Sequence, residues 1–137
     1  MRTFLVLGLI GVGGCQMETT ASCSAVPPIV GRWSYTATES SPVHANLSGT
    51  LSITSASCDG IVGSMDVLES DAAGGQQRLA GPITGQVVDG KSFQFSAFID
   101  ATPRQHLASV TGDSVSGSWV EAAGSASASG TFGGRKE

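Results

Sequence analysis

From Gly31 onward the chain alternates apolar and polar residues with a period of two, and a glycine repeatedly falls in step with the apolar ones. In Trp33-Ser34-Tyr35-Thr36-Ala37 the aromatics and alanine share one face. Leu47, Leu51 and Ile53 alternate in the same way with Ser48, Thr50, Ser52 and Thr54. Period two with one wet face is the pattern of antiparallel strands packed on a core from one side only. The spacing apolar-x-Gly-x-apolar occurs around Gly49, Gly63, Gly81, Gly85, Gly117 and Gly130. An interior glycine weakens a strand by roughly 0.5–1 kcal/mol relative to alanine, so six copies need a structural return. Strong curvature supplies one, because a sheet can coil tightly where its concave face carries no Cβ.

The polar face is hydroxyl rather than charge. Twenty serines and 11 threonines outnumber the 7 basic and 11 acidic residues. Turn signals fall at Asp59-Gly60, Gly74-Gly75, Asp89-Gly90, 100–103, Gly112-Asp113 and 122–124. They divide the chain into strands at about 32–39, 46–56, 60–70, 77–88, 91–99, 105–111, 114–120 and 126–132. The expected fold is all-β: an antiparallel up-and-down meander of about eight strands, closed into a small barrel. Closure removes sheet edges that this chain has few charges to protect.

The N-terminus is different in kind. Met1-Arg2 precedes an apolar run from Phe4 to Val12, which is short of the roughly 20 residues a bilayer span needs and matches the core of a signal peptide. Val12-Gly13-Gly14-Cys15 resembles the lipobox of bacterial lipoproteins: an aliphatic residue, two small ones, then cysteine. The resemblance covers residues 1–16. It implies cleavage before Cys15 and acylation there, and Gln16 implies the outer membrane in a cell with two membranes. Acyl chains contribute about 0.8 kcal/mol per buried methylene, enough for stable anchoring when several are present. The alternative is an ordinary signal peptide cut elsewhere. The expected organisation is a leader over 1–14, a lipidated tether over 15–30 stiffened by Pro27-Pro28, and one barrel domain over 31–137.

If Cys15 is lipidated, Cys23 and Cys58 form an even pair in an oxidising compartment, expected as a disulfide closing a loop of about 35 residues. Two separate thiols are the alternative. A zinc site lacks further ligands.

The barrel region resembles small eight-stranded avidin- and lipocalin-like barrels, in strand number and in the early Gly31-x-Trp33. That implies a fold and not a function. A net charge of −4 with scattered basic residues argues against nucleic acid. Gly112-Asp113-Ser114 is similar to a serine-hydrolase triplet, but it lies at a turn with no following histidine. His44 reads as solvated and His106 as a hydrogen-bonded, partly buried residue. Asp59, Asp66, Glu69 and Asp71 cluster around the third strand and read as a wet strand face or loop, with a weak cation site as the alternative. No nucleophile–base pair, metal set or cofactor motif is evident, so no enzyme and no cofactor are expected.

Consecutive closure would bring Trp33, Tyr35 and Trp119 into one region of the interior. There they form either packed core or the wall of a pocket for an apolar ligand. Two functions follow from these alternatives. One is a membrane-anchored envelope lipoprotein acting as a structural or interaction module toward a protein or glycan. The other is a barrel that binds a small apolar molecule.

Overall fold

The computed structural model describes residue 23 and residues 25–41, 44–123 and 126–137. The leader, Cys15 and the lipobox lie outside the described residues. Eight strands follow in order: β1 (Gly31–Ser41), β2 (Ala45–Ser57), β3 (Gly60–Asp71), β4 (Gln76–Asp89), β5 (Ser92–Ala97), β6 (Arg104–Thr111), β7 (Ser114–Ala123) and β8 (Ala126–Arg135). Each pairs antiparallel with the next, and β8 returns to pair with β1, giving a closed barrel. β5 ends two residues before its expected limit: its pairing with β6 stops at Ala97 opposite Arg104, while the Phe98 N–H still donates to Pro82 O of β4 across 2.9 Å.

The alternation read from the sequence fixes the inside and the outside. Trp33, Tyr35 and Ala37 point inward from β1, Leu47, Leu51 and Ile53 from β2, and Ile61, Met65 and Val67 from β3. The outward hydroxyls do more than face water. Thr54 Oγ1 donates to Val62 O at 2.9 Å, Ser40 Oγ to Ser129 O at 3.2 Å and Thr36 Oγ1 to Gly133 O at 3.3 Å, each tying a strand to its neighbour.

The recurrent glycines lie on the inner face where strands approach most closely. A Cβ on Gly117 would overlap the Leu107 carbonyl and meet the Phe132 ring, and one on Gly130 would overlap the Thr38 carbonyl and meet the Trp119 indole nitrogen. The other four copies are crowded against neighbouring carbonyls in the same way. Curvature is therefore built at positions where any side chain would hold the strands apart.

One end of the barrel is sealed by the segment before β1. Ile29 is 0 % exposed, and its carbonyl accepts the Trp33 Nε1–H at 2.8 Å. The Ile29 N–H donates to Pro27 O at 2.8 Å, a tight turn that drives the isoleucine inward. Complete burial of such a side chain contributes about 2 kcal/mol. Lys136 lies over the Trp33 ring at 5.7 Å and donates to Pro28 O at 3.3 Å. Cys23 and Cys58 stand at disulfide distance, S–S 2.11 Å and Cα–Cα 5.4 Å, joining this segment to the β2–β3 turn. Residues 25–30, read from the sequence as the end of a tether, are thus a strap packed across the barrel. The diproline precedes a plug rather than a free linker.

Candidate functional site

The three aromatics expected to meet occupy three different levels. Trp33 lies at the strapped end opposite Leu51, Tyr35 at mid-height, and Trp119 beside His106 and Gly130 toward the other end. The residues that do converge are Tyr35, Phe93, Phe95, His106 and Phe132. Phe95 stacks on the His106 ring at 4.3 Å and Tyr35 on Phe132 at 5.5 Å, while Phe132 meets His106 edge-on at 5.1 Å. These rings fill the middle of the barrel, so the aromatic residues serve as packed core there.

His106 is fully rather than partly buried. Its Nδ1 lies 3.0 Å from the Arg104 carbonyl, which can only accept, so Nδ1 carries the proton. Nε2 is then an acceptor, and the Tyr35 hydroxyl donates to it at 2.9 Å. Burial pushes the imidazole down to about 4, helped by the nearby Arg104 charge and opposed by the hydrogen bond to the Arg104 carbonyl. Burial likewise raises the Tyr35 phenol well above its usual value. Both groups stay neutral at physiological pH, and both ring nitrogens of the histidine are engaged.

The end opposite the strap is polar. Arg104 opens β6 on the inner face, and only 6 % of its side chain is exposed. Its Nε donates to Glu121 at 2.8 Å and its Nη2 to Glu69 at 3.0 Å, with Asp100 at 3.7 Å. The guanidinium also lies over the Trp119 ring at 4.9 Å. Burial works against its charge, and the hydrogen bonds to Glu121 and Glu69 outweigh that. Glu39 is held above the usual carboxylate range by desolvation and by Glu69. Among the described residues, Arg104 Nη1 and Trp119 Nε1 are buried without a hydrogen-bond partner. The sequence reading passed over Arg104 and Glu121. Their signal was phase: Arg104 falls in step with His106, Ala108 and Val110, and Glu121 with Val115, Gly117 and Trp119.

The other polar candidates do not come together. Asp66 pairs with Arg78 on the outer wall, while Glu69 turns inward to Arg104. Asp71 Oδ1 accepts the N–H groups of Ala73 and Gly75 at 2.9 and 2.7 Å and so shapes its own turn. Asp59 and His44 are exposed. Gly112 has φ +56° in a β6–β7 hairpin, so Gly112-Asp113-Ser114 is a turn. No group of three metal-binding side chains occurs among the described residues.

A further feature lies on the outer wall. A furrow of about 620 Å³ crosses four strands of the outer wall. Its floor is the backbone of one cross-strand row, Gly85, Phe95, His106 and Trp119, the last three with their side chains pointing inward. Its walls are the outward rows on either side. One is Gln86, Gln94, Leu107 and Ser118, and the other is Thr84, Ser96, Gln105 and Val120. Strand geometry sets the Cα atoms of the two outward rows about 7 Å apart and makes each row about 14 Å long. None of the outward lining side chains is charged.

The chain resembles solved barrels of lipocalin-like form. It aligns with the structure of EF1p2_mFAP2b bound to DFHBI at a TM-score of 0.61 and 11 % identity, over 79 % of this chain and 93 % of that one. It also aligns with the S-type phycobiliprotein lyase CPES from Guillardia theta at a TM-score of 0.50 and 10 % identity, over 80 % and 88 %. At these identities the likeness is one of fold. No protein-family model matches the chain, and no curated protein does either.

Proposed function

We propose that this chain is a non-enzymatic, lipid-anchored extracytoplasmic interaction module that works through its outer wall and polar mouth. The carrying observation is the filled interior: stacked rings at mid-height, Ile29 sealing one end and the Arg104 ion cluster at the other. A disulfide-distance cysteine pair fits an oxidising compartment, as the lipobox reading requires. It also supports an orientation, because Cys23 fastens the chain to the sealed end. An anchor at Cys15 then holds that end toward the membrane and the mouth away from it.

A barrel of the same fold bound to DFHBI supports a second reading, in which a small apolar ligand enters the interior. Here that would require the Tyr35–His106–Phe132 cluster to open.

Native mass spectrometry of protein taken from its own envelope separates the two. A bare barrel mass, with a co-purifying macromolecular partner, is the result expected. A reproducible small apolar adduct would favour the second reading. The anchor is tested by fractionating cells that carry Cys15→Ala. Release from the membrane is expected, and an unchanged membrane-bound form with unchanged processed mass would overturn the lipoprotein reading.

A further inference from the structure

We propose that the outer furrow across β4–β7 binds a neutral oligosaccharide. The inference deepens the outward-facing reading above by naming a ligand class for one place on the wall. Three kinds of observation point to it. The lining carries no net charge, which disfavours phosphorylated, acidic or basic ligands and suits one that is uncharged. Gln86, Gln94 and Gln105 present amides that both donate and accept, matching hydroxyl groups that do the same.

Apolar surface stands between the amides. Leu107, 60 % exposed at the centre of the wall, and Val120, 45 % exposed, provide area for the C–H faces of sugar rings. Phe98, 45 % exposed, follows directly after β5 and extends this surface toward the mouth. Gln94 and Ser118 flank Leu107 in register, so an apolar contact and polar partners lie side by side on this wall.

The shape agrees with the chemistry. The furrow of about 620 Å³ runs across four strands, so a linear ligand would lie across the strands and meet both outward rows. An extended peptide would gain affinity by adding to a sheet edge, and a closed barrel offers none. The floor is fixed by inward side chains locked in the core, so the backbone of the trough is preformed and the ordering cost of binding falls on the glutamine side chains.

The test uses isotopically labelled full-length protein carrying Cys15→Ala, which leaves the barrel residues intact and makes the result independent of anchoring. It is titrated with a panel of neutral oligosaccharides, the hexamers of glucose in α- and β-linkage and of N-acetylglucosamine. At least one is expected to give saturable NMR shifts confined to the β4–β7 backbone row and the glutamine side-chain amides. Gln94→Ala should weaken that binding by about three- to tenfold. Leu107→Glu, which sets a charge in the trough at an exposed site, should abolish it, while Thr131→Ala on β8 should leave it unchanged. Absence of saturable shifts at millimolar sugar, or shifts centred on the mouth or the strap, would overturn the proposal. Concentration-dependent shifts at the furrow without sugar would overturn it too, identifying a second copy of the chain as the occupant.

Discussion

The Tyr35 hydroxyl donates to His106 Nε2 across 2.9 Å, joining β1 to β6 through the middle of the barrel. The two groups are buried, so removing one leaves the other's buried polar atom unsatisfied. Tyr35→Phe is expected to destabilise the protein by about 1–3 kcal/mol. The double variant Tyr35→Phe/His106→Phe removes the hydroxyl and its acceptor together and should recover part of that loss in urea denaturation, the remainder reflecting the Nδ1–H bond to the Arg104 carbonyl. A double variant less stable than the sum of the singles would contradict this account.

The same pair makes stability depend on pH. His106 is held down to about 4 in the folded protein, chiefly by burial, against 6.5 unfolded. Between these values the unfolded chain binds a proton that the folded one refuses. The contribution is therefore complete above pH 6.5, is lost as pH falls toward 4, and amounts to roughly 3 kcal/mol. Urea midpoints measured across this window should fall more steeply in the wild type than in the Phe/Phe double variant. Parallel curves would show that the histidine does not titrate this way.

Arg104 is the hub of the mouth, joining Glu121 on the same wall to Glu69 across it. Arg104→Met should cost roughly 3 kcal/mol, at the lower end for a broken buried pair because both carboxylates retain some water. Replacing the trio together by Met, Leu and Leu should be close to neutral in stability. A neutral single variant would mean that the cluster contributes nothing to the closed barrel.

Reduction of the Cys23–Cys58 bridge, or Cys58→Ser, removes a constraint across 35 residues. Loop entropy assigns this roughly 3–4 kcal/mol. Thermal melts with and without reductant measure it. The strap should also come away from Trp33, which quenching of tryptophan fluorescence by iodide reports.

Gly130→Ala adds one methyl group against the Thr38 carbonyl and the Trp119 nitrogen. The β8–β1 seam must then open, at a cost of roughly 3 kcal/mol or more. Gly74→Ala is not a suitable control, since its φ of +84° is itself strained for alanine. Ser129→Ala, on the outer side of the same strand, is the better comparison and should change the urea midpoint far less.

Alternation made the barrel legible. It assigned the inward residues of β1 and β2 and those flanking the recurrent glycines, and the glycine spacing pointed to the curvature, while Phe93, Phe95 and Ile29 received no inward assignment. What alternation cannot give is height along the barrel axis, because it reports which face a residue occupies and not what it meets there. Trp33 and Trp119 share the inner face, yet register sets one beneath the strap and the other beneath the guanidinium. Arg104 was missed because an inward charge at a strand's first residue looks like part of the preceding loop. The furrow was invisible for a related reason: Gln86, Gln94 and Gln105 are scattered in sequence and become neighbours only through two hairpins.

The pairing of Thr36 with Gly133 has a consequence in time. Seven of the eight seams join strands that are adjacent in the chain and can form as local hairpins while the polypeptide emerges. The eighth waits for β8. Until then β1 offers a bare hydrogen-bonding edge, fringed by serine and threonine with little charge to repel a second molecule. Synthesis, and not the finished barrel, is when the molecule is most exposed to aggregation.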